Sequence, residues 1–232
     1  MSSRRKLISN PLNLAVGLAG VGVAIAALGS IATWISASRR FRHLRIHTST
    51  HEISQKYVSI ALNGTLAAAM YAFAAVFGGD VLYQLDAAHG VVRVAVESIL
   101  VLLVYDFFYY FLHRFLHTPM MMRHVHGVHH RVHCPEAMDG LYLHPAETTA
   151  GIALLFAAMA VVGQISVASF LTVAFVHSIA NIATHTNLVV PHRAFALFNY
   201  WAVRHDFHHS THRNANYASI FPFWDRIFGT YQ

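Results

Sequence analysis

The sequence of 232 residues is poor in charged side chains and in cysteine. Only 11% of its residues are Asp, Glu, Lys or Arg, whereas a soluble domain usually has about 25%. So few charged groups cannot cover the outside of a domain, and we expect much of the surface to face lipid. The single cysteine, Cys134, excludes an internal disulfide framework and a four-thiolate metal site. Basic residues cluster at the ends of apolar runs rather than along a stripe, so no nucleic-acid surface is expected.

Stretches without any charged residue predict membrane helices. Residues 7–38 and 57–79 contain no Asp, Glu, Lys or Arg, and each stretch exceeds the roughly 20 residues that a bilayer helix requires. Residues 148–192 are also free of charge and are long enough for a hairpin of two helices that turns near residues 163–164. With a further apolar span at residues 91–112, we predict an all-α, multi-pass integral-membrane bundle of about four to five spanning or hairpin helices.

The distribution of arginine predicts the orientation of this bundle. The loop of residues 39–45 contains four arginines, whereas the loop of residues 80–86 contains no Lys or Arg. Since basic loops favour the cytoplasm, the end of the third span and both ends of the hairpin should lie on the cytoplasmic side. The basic residues 4–6 would then lie on the opposite side.

Histidine is unusually frequent, with 19 residues against 16 Lys and Arg. It occurs in three boxes: HRFLH at residues 113–117, HGVHH at residues 126–130 and HDFHH at residues 205–209. Residues three and four apart share a helix face, so each box can direct two or three imidazoles to one place. Crowded imidazoles repel if protonated and lack partners if buried and neutral, and a metal removes both problems. Eight nitrogens exceed one zinc site and suit two ions, but imidazole alone does not decide which metal binds.

Seven further histidines are expected to be ordinary structural residues. These are His43, His47, His51, His89, His133, His192 and His212.

The order of one HxxxH and two HxxHH boxes around a membrane hairpin resembles the fatty acid hydroxylase and sterol desaturase superfamily. Residues 105–114 (YDFFYYFLHR), 144–147 (HPAE) and 223–231 (FWDRIFGTY) carry the same resemblance. It covers residues 91–232 and implies one integrated domain, in which a catalytic region follows the N-terminal helices and basic loop of residues 1–90.

The resemblance also implies a set of metal ligands for two iron ions, with zinc as a possible substitute in purified protein. A further family box maps onto residues 181–185, where Asn181 replaces a histidine, and His144 and His177 are less certain candidates. The implied ligands are His113, His117, His126, His129, His130, His185, His205, His208 and His209.

Carboxylates are expected beside the ligands, because metal-bound histidines donate their other N–H group to a carboxylate or carbonyl. Asp106 lies two helical turns before His113 within an apolar span, where a carboxylate is costly and usually functional. Glu147 and Asp206 are similar candidates.

The function implied by the resemblance is hydroxylation of a lipid C–H bond by dioxygen, on a fatty acyl, sphingoid, aminolipid or sterol substrate. Desaturation or C–C cleavage at the same site stays open. Electrons are expected from an external partner, such as a ferredoxin or a b-type cytochrome with its reductase. A metal transporter is disfavoured because most of the histidines flank the spans rather than lie at the membrane midplane. A membrane cytochrome would need histidine pairs within the spans, and only His177 and His185 come near such a position.

Overall fold

The computed structural model describes residues 11–48, 56–85, 90–210 and 214–232. Within these ranges the chain forms eight α-helices and one pair of two-residue parallel strands. The helices are α1 (Pro11–Ala37), α2 (Lys56–Phe77), α3 (Val91–Leu116), α4 (Pro119–Met121), α5 (Pro145–Val162), α6 (Val167–His185), α7 (Ala196–Ser210) and α8 (Phe223–Ile227). The strands are β1 (Tyr83–Gln84) and β2 (Ile165–Ser166). The predicted all-α class is therefore confirmed.

Four of the described helices are long and apolar enough to cross a membrane. They are α2, α5, α6 and the Leu14–Ala37 part of α1. The 26-residue α3 is equally long, but it contains several charged residues, including Arg93, Glu97 and Asp106. Large apolar side chains on the outer faces are exposed, for example Val23, Phe73 and Val92. The structure thus presents to its surroundings the apolar surface that the low charge content predicts.

The hairpin of α5 and α6 turns where the sequence indicates. Helix α5 ends at Gly163, whose φ of 101° is readily adopted by glycine but strained for other residues. Helix α6 then begins after Ser166, whose hydroxyl accepts a hydrogen bond from the Ser169 N–H group. Glu97 of α3 fixes this turn, because its carboxylate accepts from the Ser166 N–H at 2.8 Å and from the Ser169 hydroxyl at 2.6 Å.

The core is formed where α3 packs against α5 and α6. Val101, Leu155, Met159 and Phe170 are buried there. The parallel pairing of β1 with β2 joins the loop after α2 to the hairpin turn at one end of the bundle. The last turns of α3 and α6 and the first turn of α5 therefore lie together at the opposite end.

The loop after α1 belongs to that opposite end. A 3₁₀ helix, Arg39–Leu44, follows α1, and residues 44–47 run beside residues 187–189 just after α6. Val189 N–H donates to the Leu44 carbonyl at 2.7 Å, and Asn187 exchanges side-chain hydrogen bonds with the His47 backbone. The arginine-rich segment and the end of α6 thus share one end of the bundle.

Candidate metal centre

All nine histidines that the sequence marks as ligands converge into two groups at this end of the bundle. In each group, one nitrogen per imidazole lies within 4.8 Å of the corresponding nitrogen of every other member. The five-histidine group contains His113, His117, His126, His130 and His208. The four-histidine group contains His129, His185, His205 and His209.

The boxes reach these groups through different local structures. His113 lies in the last turn of α3 and His117 is its C-terminal cap, so the two rings are one turn apart on the same face. On α7, His205 and His209 are also one turn apart and both join the four-histidine group, whereas His208 on the adjacent face joins the other.

The middle box is divided by irregular helical structure. The chain forms a π-helix over Met122–His126 and then a 3₁₀ helix over His129–Arg131. Gly127 permits this wide turn, because a Cβ atom there would overlap the Met122 carbonyl oxygen. As a result His126 and His130 face one group while His129 faces the other.

Backbone carbonyls and one carboxylate orient the rings of the five-histidine group from outside. The Nδ1 atoms of His113 and His208 lie 2.8 Å and 2.6 Å from the carbonyl oxygens of Tyr217 and Ala215. The Nδ1 atom of His126 lies 2.8 Å from Glu147 Oε1. Because these oxygens accept hydrogen bonds, Nδ1 carries the proton and Nε2 presents its lone pair to the interior of the group.

The same arrangement holds the four-histidine group. His129, His185 and His209 donate through Nδ1 to the carbonyl oxygens of Tyr142, Asn181 and Val132, at 3.2, 2.7 and 2.8 Å respectively. Their Nε2 atoms are thereby left as acceptors that face the interior of the group.

The inward nitrogens are close to one another. In the five-histidine group, His117 Nε2 is 3.1 Å from the Nε2 atoms of both His126 and His208. In the four-histidine group, His205 Nε2 is 2.8 Å from His185 Nε2 and 3.1 Å from His209 Nε2. Two lone pairs at such distances repel, whereas a cation between them would be bound by both. The donor set therefore fits one metal ion in each group, and imidazole nitrogen is a good ligand for iron or zinc.

Burial favours the neutral form of several of these imidazoles, which is the form that binds a metal. Loss of hydration, followed by the charge of neighbouring histidines, lowers the pKa of His208 and His209 well below the ordinary value of 6.5. The same two causes lower the pKa of His129 and His205 well below that value. At neutral pH these side chains therefore have lone pairs available without first losing a proton.

Of the predicted carboxylates, Glu147 lies where the sequence places it and Asp106 does not. The Asp106 carboxylate accepts from the backbone N–H groups of Ser219, Ile220 and Phe221 at 2.7–2.9 Å, instead of a metal-group histidine. Asp106 and His113 are seven residues apart, so they lie on the same face of α3. However, they are separated by about 10 Å along the helix axis. The expectation for Asp106 is thus corrected: it holds the segment whose carbonyls orient His113 and His208.

Asp225 also holds this segment, and the sequence did not predict this role. Its carboxylate accepts from the backbone N–H groups of Tyr217 and Ala218 at 2.7 and 2.9 Å. Burial raises the pKa of Asp225, while these donors lower it. Asp106 and Asp225 together fix residues 215–221 beneath the five-histidine group.

Asp206 is bound to a residue that was expected to be ordinary. His47 Nε2 lies 2.7 Å from Asp206 Oδ1, so this carboxylate faces the loop after α1 instead of a metal-group imidazole. This hydrogen bond connects that loop to α7 next to His205. The sequence gives no local signal for this contact, because His47 lies in no box and is 159 residues from Asp206.

The three less certain candidates lie outside both groups. His144 caps α5 by accepting from the Ala146 N–H at 3.2 Å. The side-chain amide of Asn181 donates to the Gly140 carbonyl at 3.2 Å. His177 Nε2 lies 2.9 Å from the Tyr105 hydroxyl oxygen.

An apolar cavity of about 800 Å³ leads to the histidines. It lies among α1, α2, α3, α5 and α6, and its walls contain many alanines and glycines. Histidines of both groups form one end of it, including His113, His126 and His185. A ligand in this cavity would contact histidines of both groups.

Comparison with known proteins gives one family and several relatives. A family model described as fatty acid hydroxylase matches residues 98–230. Methylsterol monooxygenase 1 of Gallus gallus is 36% identical over 132 residues, which cover 54% of this chain and 42% of the relative. Sphinganine C4-monooxygenase 2 of Arabidopsis thaliana is 34% identical over 151 residues, 61% of this chain and 56% of the relative.

A third relative has a different activity in its name. Very-long-chain aldehyde decarbonylase GL1-9 of Oryza sativa subsp. indica is 33% identical over 145 residues, which cover 59% of this chain and 55% of the relative. The chain thus spans about half the length of the curated relatives it matches. No solved structure matches it.

A methyl group at Gly140 should disturb the four-histidine group. A Cβ atom there would lie 2.7 Å from Asn181 Nδ2 and 2.9 Å from His185 Nδ1, so the ring of His185 must shift. We expect Gly140→Ala to lower metal affinity about 10–100-fold, as the loss of an orienting contact usually does. Metal titration of the purified variant measures this, and Gly20→Ala, where the added atom has open space, is the control. Unchanged affinity in Gly140→Ala would contradict the tight packing around His185.

Removal of metal should destabilise the protein, because it leaves inward lone pairs facing one another. We expect a chelator to lower the melting temperature, and Fe²⁺ or Zn²⁺ to restore it. Mg²⁺, which prefers oxygen ligands, should fail to restore it. A melting temperature that does not respond to chelator and metal would show that the two groups are stable without ions.

Proposed function

Because this chain belongs to the fatty acid hydroxylase family, we propose that it is a membrane-bound di-iron oxygenase that hydroxylates a C–H bond of a lipid. The observation that carries the proposal is the apolar cavity that is lined by histidines of two closely packed imidazole groups. A site for oxidation of a lipid needs an apolar approach and metal ligands beside it, and the cavity and the two histidine groups are suited to these roles.

Two bound iron ions would supply the activation of dioxygen, and the overall reaction consumes O₂, two electrons, two protons and one C–H bond to give an alcohol and water. The nine histidines would hold the ions, all through neutral nitrogens. Glu147 and the backbone carbonyls would keep six of the rings in the tautomer that binds metal. The apolar walls would hold the lipid and exclude water from the reacting carbon.

The substrate class is proposed from the cavity and the relatives. Two of the relatives are named for a sterol and a sphingoid base. An apolar cavity of about 800 Å³ with few polar groups suits an acyl chain, a sphingoid, an aminolipid or a sterol taken from the bilayer. A desaturase or a C–C cleaving oxidase is the second candidate, because a relative named as an aldehyde decarbonylase matches a similar share of the chain.

We propose that electrons come from a separate protein, such as a ferredoxin or a b-type cytochrome with its reductase. Arg39, Arg40 and Arg42 are exposed, and the hydrogen bond between Leu44 and Val189 holds them at the same end of the bundle as the histidines. A positive surface at that end would attract an acidic donor and orient it toward the metal centre.

Lipid oxidation is tested by comparing the lipids of a host that expresses the chain with those of a host that does not. We expect an oxidised lipid, and about two metal ions per chain in protein purified from an iron-replete host. His185→Ala should abolish turnover and lower metal content, because His185 Nε2 lies within 3.1 Å of the inward nitrogens of His129 and His205. Asn181→His should retain metal.

The control is His192→Ala, whose exposed ring lies outside both groups. This variant should keep full metal content and turnover. Full activity in His185→Ala would refute its role as a ligand, and one ion or none in folded wild-type protein would refute the di-iron proposal.

We also propose that the metal centre faces the cytoplasm, because the arginines at that end of the bundle favour the cytoplasmic side. Reporters fused after Arg45 and after Gln232 should then both be cytoplasmic, and a reporter inserted at Asp80 should lie on the opposite side. Fusions at Arg45 and Gln232 that report opposite sides would contradict the orientation.

A further inference from the structure

One polar pair in the apolar cavity is not used by the metal centre. His177 of α6 and Tyr105 of α3 both line the cavity, and His177 Nε2 lies 2.9 Å from the Tyr105 hydroxyl. The two rings meet edge to face, with centroids 4.8 Å apart. Neither residue belongs to a histidine group, so the metal centre does not explain why a polar pair lies here.

The pair lies at a defined depth below the metal centre. His177 precedes His185 by eight residues on α6, and Tyr105 precedes His113 by eight residues on α3. Both helices end at the histidine groups, so a rise of 1.5 Å per residue places the pair about 12 Å from them along each helix. The cavity contacts the pair and the histidines, and the wall between them includes Leu112 and Ile182.

The pair keeps unused hydrogen-bonding capacity in either tautomer. If Tyr105 donates to His177 Nε2, the Nδ1–H of His177 and a lone pair of Tyr105 remain. If His177 donates instead, the Tyr105 O–H and the Nδ1 lone pair remain. Among the described residues, Tyr105 is the one hydrogen-bond partner of the His177 side chain. One donor and one acceptor are therefore left for a ligand.

A second buried hydroxyl lines the same cavity. Tyr71 of α2 has no hydrogen-bond partner for its buried hydroxyl within the described part of the chain. A buried polar group without a partner is costly, so such groups mark places where a ligand supplies the partner. Polar groups from three helices thus contribute to an otherwise apolar cavity.

We propose that His177 and Tyr105 bind a hydroxyl or carbonyl oxygen of the lipid substrate, about 12 Å along the helices from the metal centre. This inference rests on the proposed function, since it assigns one part of the substrate of that site. The bound oxygen fixes how far the lipid enters the cavity and therefore which carbon reaches the histidines. The pair is thus a specificity determinant that selects lipids with an oxygen at this distance from the oxidised carbon.

The test measures binding, which needs no turnover. Metal-loaded protein in detergent is titrated with radiolabelled 1-hexadecanol and with hexadecane, which differ by one hydroxyl. In the Tyr105→Phe, His177→Phe double variant we expect the alcohol to bind about tenfold more weakly, since a hydrogen bond to a buried partner is lost, and the alkane to bind as before. The two single variants should show smaller losses for the alcohol alone.

The matched control is Tyr57→Phe, which removes an exposed hydroxyl at the start of α2 and should change neither ligand. Equal losses for alcohol and alkane, or no loss for either, would overturn the proposal. Loss of metal from the single variants would overturn it as well, because the pair would then support the metal centre. Wild-type protein that oxidises a lipid but does not prefer the alcohol refutes this inference alone, whereas a preference without any lipid oxidation refutes the proposed function.

Discussion

Six imidazoles of the two groups have two nitrogens with opposite roles, and much of the surrounding structure serves to keep these roles apart. The outer nitrogen of each of the six donates to a carbonyl or carboxylate, so that the inner nitrogen faces its neighbours as a lone pair. Most of the acceptors are carbonyls in irregular segments, because the carbonyls inside helices already have partners. The precision of the site therefore depends on how firmly these irregular segments are held.

Buried charges hold those segments. Asp106 and Asp225 bind the backbone of residues 217–221, and the Lys56 ammonium lies 2.7 Å from Asp139 in the 3₁₀ helix Ala137–Leu141. That helix packs against α6 beside Asn181, and the carbonyl that orients His129 follows it at Tyr142. Such buried charges contribute little net stability, but each fixes one arrangement of a loop, because breaking its contacts would leave an unpaired charge.

Much of this architecture is predictable from the sequence because lipid and metal impose simple patterns. Charge-free stretches predicted most of the long helices, and Gly163 predicted the hairpin turn. The three boxes predicted eight of the nine histidines that the structure brings together, and the family resemblance added His185. The division of HGVHH between two groups was not predictable, since it depends on a π-helix permitted by Gly127. The contacts of Asp106 were not predicted, because spacing along a helix indicates the face on which a residue lies but not whether it is near enough to contact a histidine. The contact of His47 with Asp206 and the pairing of His177 with Tyr105 join segments that are distant in the sequence, so no local sequence pattern predicts them.

The order of the chain has a consequence for how the protein is made. The carbonyls of Ala215 and Tyr217, which orient His208 and His113, follow all nine histidines in the sequence. During synthesis, α3 and its histidines are inserted more than 100 residues before Tyr217 leaves the ribosome. The nascent chain therefore exposes histidines whose tautomers are not yet fixed, and a correctly built centre can form only after translation of residues 215–225. Assembly of the two groups thus depends on the docking of residues 219–221, which follow the last box, on Asp106.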